Sequence, residues 1–168
     1  MEEQYKALAE RNGWDYSFDG ERPYFMKAGR YAVPDDNTSE EDKELLANVI
    51  SEGSIELERL ILLCWDNGIA ISGPCSGIDK YHSKQPVHLH FSCTASKELI
   101  DSLTQNLQAI FPNFGLMLRD MNGQTRLDIR FTTQNGITQE QSDAIFSVIR
   151  DNLEYEISKQ KEENPQLS

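Results

Sequence analysis

Apolar positions along the 168-residue chain switch between a helical period and a period of two, and the switches mark out the elements. Residues 2–11 set Tyr5, Leu8 and Ala9 on one side, with Asn12-Gly13 as a stop, which predicts a short helix. Trp14 to Phe18 alternates aromatic and polar before Asp19-Gly20, the pattern of a half-buried strand and its turn. A looser stretch with Pro23, Gly29 and Pro34 follows and ends in Asp35-Asp36-Asn37-Thr38. Thr38 with Glu41 three residues on makes a capping box. It opens a helix with Leu45, Leu46, Val49 and Ile50 on one face, closing near Gly53. Ser54 caps a second helix carrying Leu57, Leu60, Ile61, Cys64 and Trp65, which stops at Asn67-Gly68.

Beyond residue 68 strands and helices mix. Ile69 to Ser72 predicts a short strand running into a Gly73-Pro74-Cys75-Ser76-Gly77 loop. Pro86 to Cys93 alternates strictly, with Val87, Leu89, Phe91 and Cys93 on one face and His88, His90 and Ser92 on the other. Thr94 or Ser96 caps a helix with Leu99, Ile100, Leu103 and Leu107 inward, stopped by Pro112. Residues 116–121 and 125–131 flank Asn122-Gly123, a type I′ hairpin signal. Thr138 and Gln141 form another capping box, opening a long helix with Ile145, Val148, Ile149, Leu153 and Ile157 and a frayed tail from Lys159. The predicted class is α+β, a mixed or antiparallel sheet packed with helices. An acidic, mainly helical segment over 1–68 precedes an α+β unit over 69–160 and a disordered tail over 161–168, together one compact unit.

Charge changes the picture more than any other bulk property. The net charge is −12. Residues 1–58 hold 15 Asp/Glu against 6 Lys/Arg, a net −9, and residues 59–168 hold 13 against 10, a net −3. Such a field repels phosphate backbones, whose protein affinity comes largely from Lys and Arg, and attracts basic surfaces. Asp35, Asp36, Glu40, Glu41, Asp42 and Glu44 set closely spaced carboxylates on the first turns of one helix and the run before it. They form a candidate interaction surface for a basic, nucleic-acid-binding partner, imitating the charge spacing of a nucleic acid; the plainer reading is a solvated helix face. Trp14, Tyr16, Phe18, Tyr24 and Phe25 nearby supply aromatic anchors if exposed and core if not. No run approaches the length of a membrane span, and Met1-Glu2-Glu3-Gln4 lacks the basic-then-apolar pattern of a signal peptide. Three irregularly spaced cysteines, Cys64, Cys75 and Cys93, suit a reducing compartment, so the expected location is the cytoplasm.

Four features in order give the second half a family likeness. They are Ser72-Gly73-Pro74-Cys75-Ser76-Gly77; Pro86 to Cys93 with His90; Asn113-Phe114-Gly115-Leu116; and Ile129-Arg130 followed by Thr132-Thr133 and a long charged helix. In this arrangement residues 69–160 resemble the wybutosine-synthesis tRNA methyltransferase family. The resemblance implies a pocket for S-adenosylmethionine or substrate lined by Ser72, Cys75, Ser76, Gly77, His90 and Arg130. Ile78 stands where that family carries Arg, and only residues 78–85 stand where it has a longer basic and aromatic insertion. The features suited to holding tRNA are therefore missing.

Local chemistry offers two further candidates. Cys75 and His90 are the catalytic candidates of the enzyme reading; as a nucleophile the Cys75 thiolate needs a nearby base or a helix N-terminus, which the sequence does not place. His88 and His90 lie about 7 Å apart on one strand face, with Cys75 or His82 as a third metal ligand, yet no CxxC or HExxH accompanies them; two satisfied histidines on a polar face fit better, and no metal is expected. Two functions compete. One is a non-enzymatic acidic protein that inhibits or regulates a basic partner, such as a phage or mobile-element inhibitor of a nuclease like a CRISPR effector, with no cofactor. The alternative is an S-adenosylmethionine-dependent enzyme modifying RNA or a nucleotide.

Overall fold

The first helix, α1 (Glu2–Asn12), ends where Gly13 takes a left-handed conformation and its N–H returns to the Glu10 carbonyl. In the computed structural model of the chain, residues 1–78, 87–110, 126–133, 137–164 and 166 are described. After α1 come β1 (Asp15–Phe18), β2 (Pro23–Lys27) and β3 (Arg30–Tyr31), an antiparallel sheet in the order β1-β2-β3. The segment read as a loose connection is thus a strand, a turn and a short strand. Its turn residues, Ala28 (φ 51) and Gly29 (φ 76), both have positive φ between the paired Lys27 and Arg30. That is the geometry of a two-residue type I′ hairpin, reached without the Asn-Gly signal.

Two helices follow, α2 (Glu40–Ile50) and α3 (Ile55–Asp66). The capping of α2 corrects the expectation by one residue: Ser39, not Thr38, accepts from the Asp42 N–H, at 3.1 Å. Thr38 instead accepts from the Asp35 N–H and closes the preceding turn. Ser54 caps α3 as expected, accepting from the Leu57 N–H, while its own hydroxyl donates to Asp143 at 2.7 Å.

The second antiparallel sheet has the order β4-β5-β6, from β4 (Ile71–Ser76), β5 (Val87–Thr94) and β6 (Arg126–Thr133). Helix α4 (Lys97–Ile110) is capped by Ser96, one of the two expected residues. Ser96 also donates to the Glu156 carboxylate. Helix α5 (Gln139–Glu163) opens with the expected Thr138/Gln141 capping box and stays helical past Lys159. The expected loop over 73–77 is largely strand: β4 continues through it with a bulge between Ser72 and Cys75. The Pro112 stop, the 113–116 motif, the 116–121 strand and the Asn122-Gly123 turn lie outside the described residues.

Two apolar clusters hold the molecule. The larger gathers Leu57, Leu60, Ile61 and Cys64 from α3, Leu89, Phe91 and Cys93 from β5, Leu103 and Leu107 from α4, and Ile145, Phe146 and Ile149 from α5. Because α3 belongs to this cluster, the core does not divide at residue 68. The smaller cluster packs Leu8, Ala9, Trp14, Phe25, Ala32 and Leu46. The Phe25 ring is surrounded by Tyr5, Trp14 and Tyr16 at centroid distances of 6.2, 6.3 and 5.7 Å. Ile50 and Trp65 touch both clusters and join them.

Candidate functional site

Antiparallel registry brings three of the sequence-predicted residues into one row. Cys75 on β4 lies opposite His90 on β5, and His90 opposite Arg130 on β6. Directly opposed residues share a sheet face, so Cys75 and His90 lie on the side away from Leu89 and Phe91. Without the bulge, Cys75 would fall on the core face. Ser72 sits in the neighbouring row, opposite Ser92. The other two are occupied by the fold. Ser76 is fully buried; its Oγ accepts from the Ile78 N–H at 3.2 Å, and its carbonyl accepts from the Ser142 hydroxyl at 2.7 Å. Gly77 has φ +71, and a Cβ there would stand 2.8 Å from Leu89 Cβ. Its glycine answers to strand packing, and its carbonyl accepts from the Ile137 N–H.

The cysteines separate by environment. Cys64 and Cys93 are fully buried, while Cys75 is half-buried. A hydrogen bond with Cys93, together with burial, pushes the Cys64 thiol far above the ordinary range, which keeps it protonated. His82 lies outside the described residues, and among those described no three His, Cys, Asp or Glu side chains gather as a metal would require.

The acidic run is less uniform in space than in sequence. Asp42 is buried, not presented: Arg11 Nη2 donates to it at 2.7 Å and Asn12 Nδ2 at 2.8 Å, tying α1 to α2. The Arg11 hydrogen bond is the main cause of its carboxyl lying below the usual range. Asp35 accepts from the Asn37 N–H in its own turn. Glu40 pairs with Lys43 at 3.0 Å, and Lys43 also reaches Asp66 at 2.7 Å. Asp36, Glu41 and Glu44 are exposed. Of the aromatic candidates, Trp14 and Phe25 are buried and Phe18 is exposed.

A cleft of about 470 Å³ opens between the two sheets, a volume suited to a compact ligand or an anchoring side chain. Its apolar wall is Phe25, Ala32, Leu46, Val49, Ile50 and Ile71. Tyr31 and Val33 stand at the edge, more than half exposed at 59% and 55%. The bulged edge strand contributes Pro74 and Cys75, so one resemblance residue borders the cleft. Neither this cavity nor Arg22, Arg30, Tyr31, Val33 and Glu52 was singled out from sequence, and Trp65 was named only among the apolar residues of its helix.

One polar network crosses the cleft. Arg22 donates from Nε to Tyr24 Oη at 2.7 Å and from Nη1 to Glu52 Oε1 at 3.3 Å, linking the β1–β2 turn to the α2–α3 turn. Tyr24 donates to Asp19 at 2.8 Å. Burial works against the Arg22 charge, but the Tyr24 hydrogen bond and the Glu52 carboxylate outweigh it and hold the cation above its ordinary range. Backbone N–H donors of Arg22 and Glu21, with the Tyr24 hydroxyl, take Asp19 down to about 2. Glu52 is buried and has φ 51, a left-handed conformation that costs a non-glycine residue about 1–2 kcal/mol. Strain of this kind persists where surrounding contacts enforce it, and the Arg22 pair is one such contact.

No family model matches the chain, and no curated protein or solved structure shows a significant match.

Proposed function

We propose that this chain is an interaction protein that binds a basic, nucleic-acid-binding partner and so regulates or inhibits it. The observation that carries the reading is the cleft with its exposed Tyr31 and Val33 edge beside Arg30, continuous with an apolar wall. Tyrosine, tryptophan and arginine around an apolar depression are the residue types that anchor protein interfaces. A side chain of the partner fills the cleft, and the exposed carboxylates, Glu41 and Glu44 among them, steer a positively charged surface toward it. Among the described residues no helix is long and apolar enough to cross a membrane.

Affinity capture at several salt concentrations tests this reading. A Tyr31→Ala/Val33→Asp variant should lose about 1–2 kcal/mol or more of affinity, roughly five- to thirtyfold. Reversing Glu41 and Glu44 should instead slow association and flatten its salt dependence. A partner retained equally by both variants refutes the proposal.

The Cys75–His90–Arg130 row supports a second reading, an S-adenosylmethionine-dependent RNA- or nucleotide-modifying enzyme of the kind the sequence resembles. Against it, Ser76 and Gly77 are engaged in the fold. Calorimetry with S-adenosylmethionine decides: micromolar affinity abolished by His90→Ala favours the enzyme, and no heat of binding favours the interaction protein.

A further inference from the structure

The cleft is lined by charge opposite in sign to the net charge of the chain. Its charged lining residues are two guanidiniums, Arg22 and Arg30, against the single carboxylate of Glu52, a local excess of one positive charge in a chain of net −12. Arg22 is half-buried, and its contacts to Tyr24 and Glu52 use two of the five N–H donors a guanidinium carries. Arg30 has no ion pair among the described residues. Trp65, another lining residue, has a buried Nε1 donor with no acceptor among the described residues. An indole N–H can only donate, so an acceptor oxygen is the group it lacks.

From these features we infer that the cleft binds a small amphipathic carboxylate: an aromatic or branched aliphatic body against the apolar wall, with its carboxylate toward the guanidiniums. A planar carboxylate matches the fork of a guanidinium, and a partly dry cavity strengthens that pairing over its value in water. The body has Phe25, Val49, Ile50 and Ile71 to pack against. The anion takes the space assigned above to the partner's side chain, so it regulates that docking by competition. The inference uses the same cleft as the interaction reading but needs no partner for its test.

Calorimetry on the purified full chain compares 4-phenylbutyrate with 4-phenylbutyramide, which keeps the body and loses the charge. The acid should bind at least tenfold more tightly than the amide. Arg22→Gln and Arg30→Gln should each narrow that gap, and Ala70→Trp, which fills the cleft from an exposed position, should abolish binding of both. Arg30 is exposed, so its variant tests the inference even if Arg22→Gln fails to fold. Equal affinity for acid and amide, no binding of the acid to the native chain, or an undiminished gap in Arg30→Gln overturns it. A peptide with a free C-terminal phenylalanine that binds where phenylbutyrate does not also overturns it, assigning the cleft to a chain terminus. Failure here leaves the capture experiment untouched, and failure of capture leaves these titrations untouched.

Discussion

Replacing Gly77 with alanine separates a packing role from a ligand-cradling one. At φ +71 the new side chain occupies the left-handed region, which costs about 1–2 kcal/mol. Its Cβ would also stand 2.8 Å from Leu89 Cβ and 3.1 Å from Leu89 Cα. Leu89 is almost wholly buried in the larger cluster, so β5 has little room to retreat. Overpacking of this kind adds about 1–3 kcal/mol. The expected loss is therefore about 2–5 kcal/mol, a large part of a typical domain's stability. For a chain of this size each kcal/mol lowers the melting midpoint by about 2–4 °C. Gly13→Ala is the internal control: φ is +66, but nothing lies within 4 Å of the added Cβ, so it carries the strain alone. Urea unfolding followed by circular dichroism measures both. A Gly77→Ala loss of about 2–5 kcal/mol, clearly exceeding that of Gly13→Ala, supports the packing account. Equal losses, or a Gly77→Ala change within about 0.5 kcal/mol, refute it and return the glycine to a ligand-binding role.

Three further outcomes follow from other contacts. Asp19 is lowered from 3.8 to about 2 in the folded chain. The stability it adds is complete above the unfolded value and is lost as pH falls through the folded one, so Asp19→Asn should flatten the acid limb of stability between those values. Acid limbs that superimpose would contradict this. Ser142→Ala removes the buried hydroxyl that donates to the Ser76 carbonyl and should cost about 1–3 kcal/mol, measured by the same unfolding. Thr138→Ala breaks the capping box of α5 and should cost about 1 kcal/mol, with fraying seen as faster amide exchange in its first turn.

Elements with a strong local signal were legible in the sequence. The Thr138/Gln141 box, the Ser54 cap, and the buried alternation of Leu89, Phe91 and Cys93 each depend on residues a few positions apart, and each is found. The hairpin at Ala28-Gly29 was hidden because Ala is an uncommon choice for positive φ, and Pro23 argues against strand interior. The bulge in β4 was hidden too: a glycine and a proline beside a strand read as a loop, and only pairing with β5 reveals continuation. The Asp42 burial depends on Arg11 and Asn12, some thirty residues away, so the acidic run looked more uniform in sequence than it is. The cleft was illegible for the same reason. Arg22, Glu52, Trp65 and Cys75 come from four separate segments and share a cavity only after two sheets and two helices are in place. The Cys75–His90–Arg130 row lies between these cases, since its members were named in advance but their alignment comes from the register.

The central claim is that the cleft is where this protein does its work. It is tested most directly by quantitative affinity capture from the cells the chain comes from, comparing the native protein with Ala70→Trp at matched folding stability. The account predicts a basic, nucleic-acid-binding protein that is enriched on the native chain, depleted on Ala70→Trp, and progressively lost as salt is raised. Equal capture of the same partner by the filled and the open cleft would contradict it.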